Sequence, residues 1–506
     1  MTETNTLLAL WRSAAADSSD NVFAICNGRE ATYGEIDAAS TTLAGALQTH
    51  ARLKPGERIA FVVPNSIEFV IAYVAAMKVG LVAVPVNVRL AADEMKFILS
   101  DADAAAILIH ADTRSPVESI LDDVPNVRER IAIGFDAPGC HSFERLIEGD
   151  DRPDDALPQP DDTVAIIYTS GTTGRPKGAM ITHANVVFNA KSAELGLGFG
   201  PDDRHMLAVP LFHVTGLNTI LPAVLLHRSS TVITASPSPL EQLQLVERHR
   251  VTTLLGVPTL YIMMAGLKAI GEMQLDSLRL IGYSGAPMPI EAIEKLSKRF
   301  PHADLHNFYG LTESTSIASV LPAASALSHA ASIGLPVERV EFMIAGDDGS
   351  ALDTGEMGEL CIRGGNIFKG YLDRPEATAE AFFADGWFRS GDTALMDDAG
   401  FVFLQGRVKE MIIVGAENVY PVEVENVICS HPAVREAAVV GMPSSVFGEL
   451  VRAVVVLQDG AAATEAEIRK HCASRLASFK VPNKVAFTDA LPRNPSGKVV
   501  KRWIDA

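Results

Sequence analysis

Short runs of β-branched residues alternate with helical patterns from Arg58 onward, and this alternation constrains the fold more than any other feature. In residues 58–110 the expected strands are 59–63, 81–86 and 105–109, and the expected helices between them are 66–78 and 91–100. Such alternation is typical of parallel βαβ units, in which helices cover both faces of a sheet. The same alternation of predicted strands and helices recurs between residue 161 and about residue 321. We therefore predict an α/β fold whose large N-terminal domain contains two sheet lobes.

The pattern of predicted elements changes twice more toward the C-terminus. Residues 332–405 are rich in short strands and glycine turns, which predicts a small antiparallel sheet or barrel-like subdomain. Beyond Arg407 lies a smaller α+β domain. Two Thr-x-x-Glu sequences, Thr32 to Glu35 and Thr464 to Glu467, predict capping boxes that begin helices. The expected boundaries are 1–406 for the large domain, with subregions of about 1–160, 161–330 and 331–406, and 407–506 for the C-terminal domain.

Charge and cysteine content exclude several classes of function. The 506 residues include 43 Lys and Arg against 62 Asp and Glu, a net charge of −19, which argues against nucleic acid as a partner. The five scattered cysteines form no C-x-x-C pair, which argues against a zinc site and indicates a reducing cytoplasm. The most apolar stretch, 69–88, is interrupted by Lys78 and Gly80, so we expect no stable membrane insertion. The N-terminus lacks the pattern of a signal peptide.

Residues 168–178, Tyr-Thr-Ser-Gly-Thr-Thr-Gly-Arg-Pro-Lys-Gly, carry the strongest chemical signal. Glycines expose backbone N–H groups, hydroxyl side chains add donors and a lysine adds positive charge, which predicts a phosphate-binding loop between an apolar strand and a helical run near Thr182. The spacing is not that of a Walker A loop, because Gly178 follows the lysine. The candidate phosphate ligands are Thr169, Ser170, Gly171, Thr172, Thr173, Gly174 and Lys177.

Six further motifs follow this loop in order: 210–216 (PLFHVTG), 284–287 (SGAP), 307–314 (NFYGLTES), 387–392 (WFRSGD), 406–410 (GRVKE) and 495–498 (PSGK). Together with the loop they resemble the adenylate-forming superfamily, in its acyl-CoA synthetase branch. That superfamily includes acyl-CoA synthetases, the adenylation domains of peptide synthetases and firefly luciferase. The resemblance covers nearly the whole chain. It implies an ATP-dependent acid–thiol ligase that makes an acyl adenylate and then an acyl-CoA thioester, with ATP, Mg²⁺ and coenzyme A as cofactors.

The resemblance also assigns roles to residues around the nucleotide. It implies that Glu313 holds Mg²⁺, that Thr312 bonds the α-phosphate and that Lys498 is the positioned cation of adenylation. Glutamate is a hard oxygen ligand that suits Mg²⁺, and a lysine is a compact charge that offsets the approach of a carboxylate to a phosphate. The implied adenine slot consists of Tyr309 with Gly285, Ala286 and Pro287, and Gly310 is a further implied nucleotide-binding residue. Asp392 would accept from both ribose hydroxyls, and Arg407 would contact the ribose or the phosphate side.

Other residues are implied for the acyl and thiol sides. His213 would gate the carboxylate end of the acyl pocket. Lys409 would be the hinge about which a mobile C-terminal domain rotates between the half-reactions. Gly415 would line the channel for the pantetheine arm of coenzyme A, since it permits close backbone approach. Lys498 also resembles lysines at which acyl-CoA synthetases are silenced, so a lysine acetyltransferase is a candidate partner, as is a second copy of the chain.

The substrate class stays partly open at this point. Amino-acid-activating relatives place an Asp where this chain has His213, which argues against an amino acid. The segments expected to line the acyl pocket, 214–223, 254–259, 281–284 and 311–320, contain Glu313 as their one ionic side chain. An uncharged aliphatic or aromatic monocarboxylic acid is therefore preferred. No carrier domain follows residue 506, which favours free coenzyme A as the thiol.

The alternatives are a stand-alone ligase that loads a carrier protein and a dicarboxylate-CoA ligase. From different classes, the alternatives are a luciferase-like oxygenase and a non-catalytic nucleotide-binding relative.

Overall fold

The computed structural model describes residues 5–154, 157–169, 176–286, 288–414, 417–444, 448–494 and 499–504. The chain forms two compact units. The first unit comprises Met1–Phe342 and Ile362–Phe388, and the second comprises Met343–Cys361 and Arg389–Ala506. Within the described residues no helix combines the length and the apolar character that a membrane crossing requires.

The α-helices, in chain order, are α1 (Leu7–Asp17), α2 (Tyr33–Thr49), α3 (Ile67–Lys78), α4 (Ala92–Asp101), α5 (Arg114–Glu118), α6 (Phe143–Glu148), α7 (His183–Leu197), α8 (Leu221–His227), α9 (Pro239–His249), α10 (Pro258–Gly266), α11 (Ile290–Arg299), α12 (Pro375–Glu380), α13 (Pro421–Cys429) and α14 (Glu465–Ala473). A π-helical segment spans Thr215–Ile220, and short 3₁₀ helices span Ala111–Thr113, Leu121–Asp123, Lys268–Glu272, Ala323–Ser325, Ala384–Gly386, Val408–Glu410, Ser478–Lys480 and Lys501–Trp503.

The strands of the first unit up to residue 336 are β1 (Val22–Cys26), β2 (Arg29–Thr32), β3 (Arg58–Val62), β4 (Val82–Pro85), β5 (Ala104–His110), β6 (Glu129–Ile133), β7 (His141–Ser142), β8 (Thr163–Thr169), β9 (Lys177–Thr182), β10 (Arg204–Leu207), β11 (Ser230–Ile233), β12 (Thr253–Gly256), β13 (Leu280–Tyr283), β14 (Asp304–Tyr309), β15 (Ser319–Val320) and β16 (Leu335–Pro336). The remaining strands are β17 (Val340–Ala345), β18 (Met357–Gly364), β19 (Gly370–Tyr371), β20 (Phe388–Met396), β21 (Val402–Arg407), β22 (Ile412–Val414), β23 (Glu417–Val419), β24 (Val434–Ser444), β25 (Gly448–Leu457) and β26 (Lys484–Phe487).

The first unit contains two large mixed sheets. One has nine strands in the order β16-β15-β14-β13-β12-β10-β11-β1-β2, and the other has eight in the order β19-β9-β8-β4-β3-β5-β6-β7. The central strands of each pair in parallel, as the βαβ alternation predicted, and the α/β fold class is confirmed. Neither sheet is formed from one continuous stretch of the sequence. The early strand β1 lies beside β11, whereas the later strands β8 and β9 extend the sheet of β3 and β4.

Local capping explains where several helices begin. Thr32 and Glu35 form the predicted capping box at the start of α2, and Thr464 and Glu467 form the one at the start of α14. Helix α3 begins after Ser66, whose hydroxyl accepts from the backbone of Phe69. The most apolar stretch of the chain is therefore a buried helix followed by β4, as predicted.

His183, the first residue of α7, is buried, and its Nδ1 has no hydrogen-bond partner among the described residues. Burial disfavours the imidazolium and lowers the pKa of His183 from 6.5 to about 4. Between these values the unfolded chain binds more protons than the folded one. The contribution of His183 to stability is therefore complete above pH 6.5 and is lost as the pH falls toward 4.

We expect a His183→Gln variant to lose less stability on acidification than the parent chain, by on the order of 2 kcal/mol between pH 7 and pH 5. Urea unfolding of both proteins at the two pH values measures this difference. Because other titrating groups are common to both chains, they cancel in the comparison. An identical pH response of the two proteins would show that His183 is not buried as a neutral imidazole.

The second unit is built around a five-stranded sheet in which β24 and β25 form a long antiparallel pair and β26 pairs in parallel with β25. Its apolar core joins strand residues such as Val439 and Val455 to Ile428 of α13 and to Ile468 and Cys472 of α14. The chain also forms a four-stranded sheet in the order β17-β18-β20-β21, and its last two strands are antiparallel. This sheet includes most of the glycine-rich region that predicted a small β subdomain.

Candidate active site

The carboxyl ends of β12, β13 and β14 lie side by side in the nine-stranded sheet, because these strands pair in parallel and in register. Ligands of α/β proteins bind at such an edge. The predicted adenine slot lies here: Gly285 and Ala286 follow β13 and are exposed, and Tyr309 ends β14. Gly285 has φ +86°, a conformation that side chains other than glycine rarely adopt. Exposed Val257, at the end of β12, adds an apolar side chain beside Gly285.

The turn after β14 carries Thr312 and Glu313, and it is unusually constrained. Thr315 and Ser316 have positive φ values of 62° and 150°, which are uncommon for residues other than glycine. The carbonyl oxygen of Ser316 would lie 1.3 Å from a Cβ atom at Gly310, so only glycine fits at that position. Backbone strain of this kind persists where the surrounding structure fixes it.

Buried side chains provide that fixation. Thr315 Oγ1 donates to the carbonyl of Asn366 at 2.6 Å, and the backbone N–H of Ile317 donates to Asn189 Oδ1 at 2.9 Å. Asn189, on α7, also donates to the carbonyl of Asn218 in the π-helical segment. The turn that presents Thr312 and Glu313 is thus anchored to the segment at Asn366 and to α7, and α7 is in turn bonded to the π-helical segment.

Thr169 and Lys177 stand opposite each other in the antiparallel pair formed by β8 and β9. The predicted phosphate loop therefore connects two strands of a hairpin, and the helical run at Thr182 begins one strand later, as α7. Sequence reasoning missed the strand β9 because its six residues follow the glycine-rich loop without a separate turn signal. Thr169 and Lys177 mark the two ends of the loop.

Tyr371, which sequence reasoning did not single out, links Lys177 to Glu313. Its hydroxyl donates to Glu313 Oε1 at 2.7 Å, and the ammonium of Lys177 lies 4.7 Å from the centroid of its ring. Burial and the neighbouring Glu313 charge raise the pKa of Tyr371 above its usual value, so the phenol stays protonated as the donor. No short motif in the sequence marks Tyr371, because its two partners lie on other elements of the fold.

The carboxylate of Glu313 is a suitable ligand for Mg²⁺. Its carboxylate is partly buried, and within the described residues its hydrogen bond to Tyr371 uses Oε1 and leaves Oε2 without a donor. Mg²⁺ usually binds one or two carboxylates and takes its other ligands from water and substrate phosphates. A single carboxylate oxygen close to a phosphate-loop lysine meets this requirement.

His213 is exposed and lies just before the π-helical segment, at the same edge of the nine-stranded sheet. The side chain of Asn65 holds its loop: Nδ2 donates to the carbonyls of Leu207 and Val209, and Oδ1 accepts from the N–H of Leu211 at 2.7 Å. Short π-helical segments are frequent at functional sites. His213 is therefore presented on a fixed loop, as a gating side chain requires.

In the second unit, Asp392 and Arg407 are cross-strand partners on β20 and β21. The Asp392 carboxylate is almost fully buried, and its Oδ1 lies 2.7 Å from Arg407 Nε. These two predicted nucleotide ligands are thus adjacent, and each orients the other. The preceding turn is held by Glu359, which accepts from Arg389 Nη2 at 2.8 Å and from the N–H of Gly391 at 3.1 Å.

We expect Glu359→Gln to raise the KM for ATP about tenfold with little change in kcat. Both carboxylate oxygens of Glu359 accept hydrogen bonds, so in either orientation of the glutamine amide its NH₂ group would face one of the two donors, Arg389 or the N–H of Gly391. The matched control is Glu341→Gln, which breaks a similar Arg–Glu fork with the exposed Arg363. Steady-state pyrophosphate release at varied ATP measures both. If the KM of Glu359→Gln for ATP equalled the parental value, Glu359 would not be needed to position Asp392.

The predicted hinge lies in the short 3₁₀ helix Val408–Glu410, which includes Lys409. Glu410, the next residue, pairs with Lys501 at 3.0 Å, and Lys501 also pairs with Glu425 at 2.8 Å. The segment directly after the predicted catalytic lysine is thereby tied to the segment directly after the predicted hinge.

Eight of the predicted site residues lie outside the described residues. They are Ser170, Gly171, Thr172, Thr173, Gly174, Pro287, Gly415 and Lys498.

Comparisons with known proteins agree with this geometry. Residues 10–372 match the family of AMP-binding enzymes, and residues 423–498 match the AMP-binding enzyme C-terminal domain. A feruloyl-CoA synthase of Amycolatopsis is 36% identical, over 98% of this chain and 97% of its own. A long-chain-fatty-acid–CoA ligase of Mycobacterium tuberculosis is 36% identical, over 93% of this chain and 92% of its own.

Among solved structures, the o-succinylbenzoate CoA synthetase of Bacillus subtilis in complex with its acyl-adenylate intermediate has a TM-score of 0.87 and 30% identity, covering 98% of both chains. The same synthetase in complex with ATP and a magnesium ion has a TM-score of 0.86 and 30% identity, again over 98% of both chains. The resemblance inferred from the seven motifs is confirmed. The chain belongs to the AMP-binding enzyme family, in its branch of AMP-forming acid–thiol ligases.

Proposed function

We propose that the chain activates an uncharged aliphatic or aromatic monocarboxylic acid with ATP and transfers the acyl group to coenzyme A. The observation that carries this proposal is the convergence of Lys177 and Glu313 on Tyr371, because the turn that carries Glu313 directly follows Tyr309 at the end of β14. The proposed phosphate-binding cation and the proposed magnesium-binding carboxylate thus share one aromatic partner, and the carboxylate follows the strand that ends in the implied adenine slot. That combination suits a bound nucleotide triphosphate.

In the first half-reaction, a carboxylate oxygen of the acid attacks the α-phosphorus of ATP. The new bond joins the acyl oxygen to phosphorus, and the bond from phosphorus to the bridging oxygen of pyrophosphate breaks. Thr312 would donate to the α-phosphate, and Lys177 and Lys498 would offset the negative charge that accumulates as two anions approach. A magnesium ion held by Glu313 would supply further charge neutralisation.

In the second half-reaction, the sulfur of coenzyme A forms a bond to the acyl carbon and the thiol proton is released. The bond from that carbon to the oxygen bridging to phosphorus breaks, and AMP leaves with the bridging oxygen. Withdrawal of Lys498 and entry of the thiol are assigned to rotation about Lys409, with Gly415 beside the pantetheine arm. Asp392 and Arg407 would keep the nucleotide in place, since paired charges that already orient each other lose little freedom on binding. The domain boundary at residue 406 and all of these roles are proposals.

The preference for an uncharged acid rests on the expected acyl pocket. Segments 214–223 and 281–283 are buried and carry no ionic side chain. The curated relatives include enzymes named for feruloyl and for long-chain fatty acyl substrates, so both aromatic and aliphatic acids belong in the test. A cytoplasmic location is proposed because each of the five cysteines is a free thiol.

The experiment is pyrophosphate release with ATP and Mg²⁺ over a panel of fatty acids, benzoates, cinnamates and dicarboxylates, each with and without coenzyme A. Release that depends on one class of monocarboxylate and accelerates with coenzyme A supports the proposal. Release that is confined to dicarboxylates contradicts the substrate class. Acid-dependent release that ignores coenzyme A would favour a carrier protein as the acceptor, and light emission with a luciferin would favour an oxygenase.

Acetylation of Lys498 is proposed as a way to silence the first half-reaction, because it removes the positive charge. Mass spectrometry of the protein from cells rich in acetyl-CoA tests this, and persistently unmodified Lys498 would contradict it. Association of two copies of the chain stays a prediction.

A further inference from the structure

Lys177 and Glu313 carry opposite charges and contact the same side chain. Tyr371 donates to Glu313 Oε1 at 2.7 Å through its hydroxyl, and its ring lies under the Lys177 ammonium, 4.7 Å from the centroid. No ion pair joins the two charged residues to each other, and both lie in the part of the chain that the structure describes.

A direct pair between these residues would compromise the site. In a partly desolvated cleft, an ammonium and a carboxylate within reach of each other gain from pairing. The pair would neutralise the charge that Mg²⁺ needs on Glu313 and would occupy the N–H donors that a phosphate needs on Lys177. A phenol offers each group a neutral partner instead, because its hydroxyl satisfies one carboxylate oxygen and its π face attracts the ammonium.

The backbone fixes Tyr371 with respect to both charges. Tyr371 stands opposite Ala179 in the antiparallel pairing of β19 with β9, so Lys177, two residues earlier on the same strand, is its diagonal neighbour on one face. The N–H of Phe368, just before β19, donates to the carbonyl of Glu313 at 2.8 Å. The ring is thus placed between two elements to which its own strand is hydrogen-bonded.

We propose that Tyr371 is a positioning residue that holds Lys177 and Glu313 apart and in register, so that both remain available to the magnesium–ATP complex. The inference rests on the proposed function only in taking ATP as the ligand; it does not depend on which acid is activated or which thiol accepts the acyl group.

The experiment measures ATP binding by calorimetry in the absence of acid, once with Mg²⁺ and once with EDTA, so that no turnover is needed. Tyr371→Phe keeps the ring and removes the hydroxyl, whereas Tyr371→Leu removes both. Mg²⁺ should increase the ATP affinity of Tyr371→Phe about tenfold less than it increases that of the parent chain. In EDTA we expect Tyr371→Phe to bind ATP as tightly as the parent chain does. Tyr371→Leu should weaken binding in both conditions. Tyr33→Phe is the control, since it also removes a buried phenol hydroxyl, one that donates to the carbonyls of Val224 and Ser229.

An unchanged Mg²⁺-dependent gain in Tyr371→Phe would overturn the proposal, and so would an equal loss in Tyr33→Phe. A double-mutant cycle with Glu313→Gln keeps the test decisive if the single variant is unstable. The Tyr371 effect should vanish when Glu313 is already Gln, and additive effects would contradict the proposal. Failure of every acid in the panel would refute the proposed substrate class and leave these binding results standing.

Discussion

Lys498→Ala is expected to abolish formation of the acyl adenylate and to spare transfer of the acyl group from a preformed adenylate to coenzyme A. A carboxylate and an α-phosphate are both anions, so their approach needs a positioned cation at the point where charge accumulates. Loss of one such stabilising group costs about 10²- to 10³-fold in rate. Transfer to the thiol neutralises no phosphate and has no use for this lysine.

The described residues on either side of Lys498 are hydrogen-bonded to each other. Arg493 and Val499 form an antiparallel bridge, and the N–H of Val500 donates to the carbonyl of Pro492 at 2.8 Å. Pyrophosphate release measures the first half-reaction, and thioester formation from a synthetic acyl adenylate measures the second. Lys484→Ala, at an exposed lysine of the same unit, is the charge-matched control. Equal loss of both half-reactions in Lys498→Ala would refute the assigned role.

Lys409→Pro is expected to leave adenylation nearly unchanged and to slow thioester formation by about 100-fold. Proline fixes φ at its own position and restricts the backbone of the preceding residue, here Val408. The observed backbone at Val408–Glu410 is a 3₁₀ turn that proline can adopt, so the restriction acts on the change of conformation. The two half-reactions are assayed separately with the same adenylate substrate.

Lys409→Ala separates the charge of this residue from its backbone freedom. We expect the alanine variant to support both half-reactions, because alanine leaves φ unrestricted. If the proline variant turned over coenzyme A at the parental rate, Lys409 could not be the hinge. If the alanine variant lost the second half-reaction as well, the lysine side chain and not the backbone would be responsible.

Local patterns in the sequence predicted most elements of the first unit, because each element is specified by its own residues. The helix expected at 66–78 is Ile67–Lys78 with Ser66 as its cap, and the strand expected at 105–109 is Ala104–His110. Sheet order could not be predicted in this way. The pairing of β1 with β11 joins residues about 200 positions apart, such as Ala24 and Thr231, and no periodicity in either segment encodes that choice.

The same distinction applies to the site. Glycine, hydroxyl and lysine residues in one loop predicted phosphate binding, because these residue types are close together in the sequence and their chemistry can be inferred without knowledge of the fold. Tyr371 was missed because its significance lies in two partners, 194 and 58 residues away in sequence, that only the fold brings together. Likewise, the strain at Thr315 and Ser316 has no signature in residue type, since neither is a glycine.

The path of oxygen from a carboxylic acid labelled with 18O shows whether the acid is activated as an acyl adenylate. The acid identified by the panel is incubated with the enzyme, ATP, Mg²⁺ and coenzyme A, and the products are analysed by mass spectrometry. Attack of the carboxylate on the α-phosphorus predicts one labelled oxygen in AMP and none in pyrophosphate. Label in inorganic phosphate with release of ADP, or AMP that carries no label, would contradict an acyl adenylate.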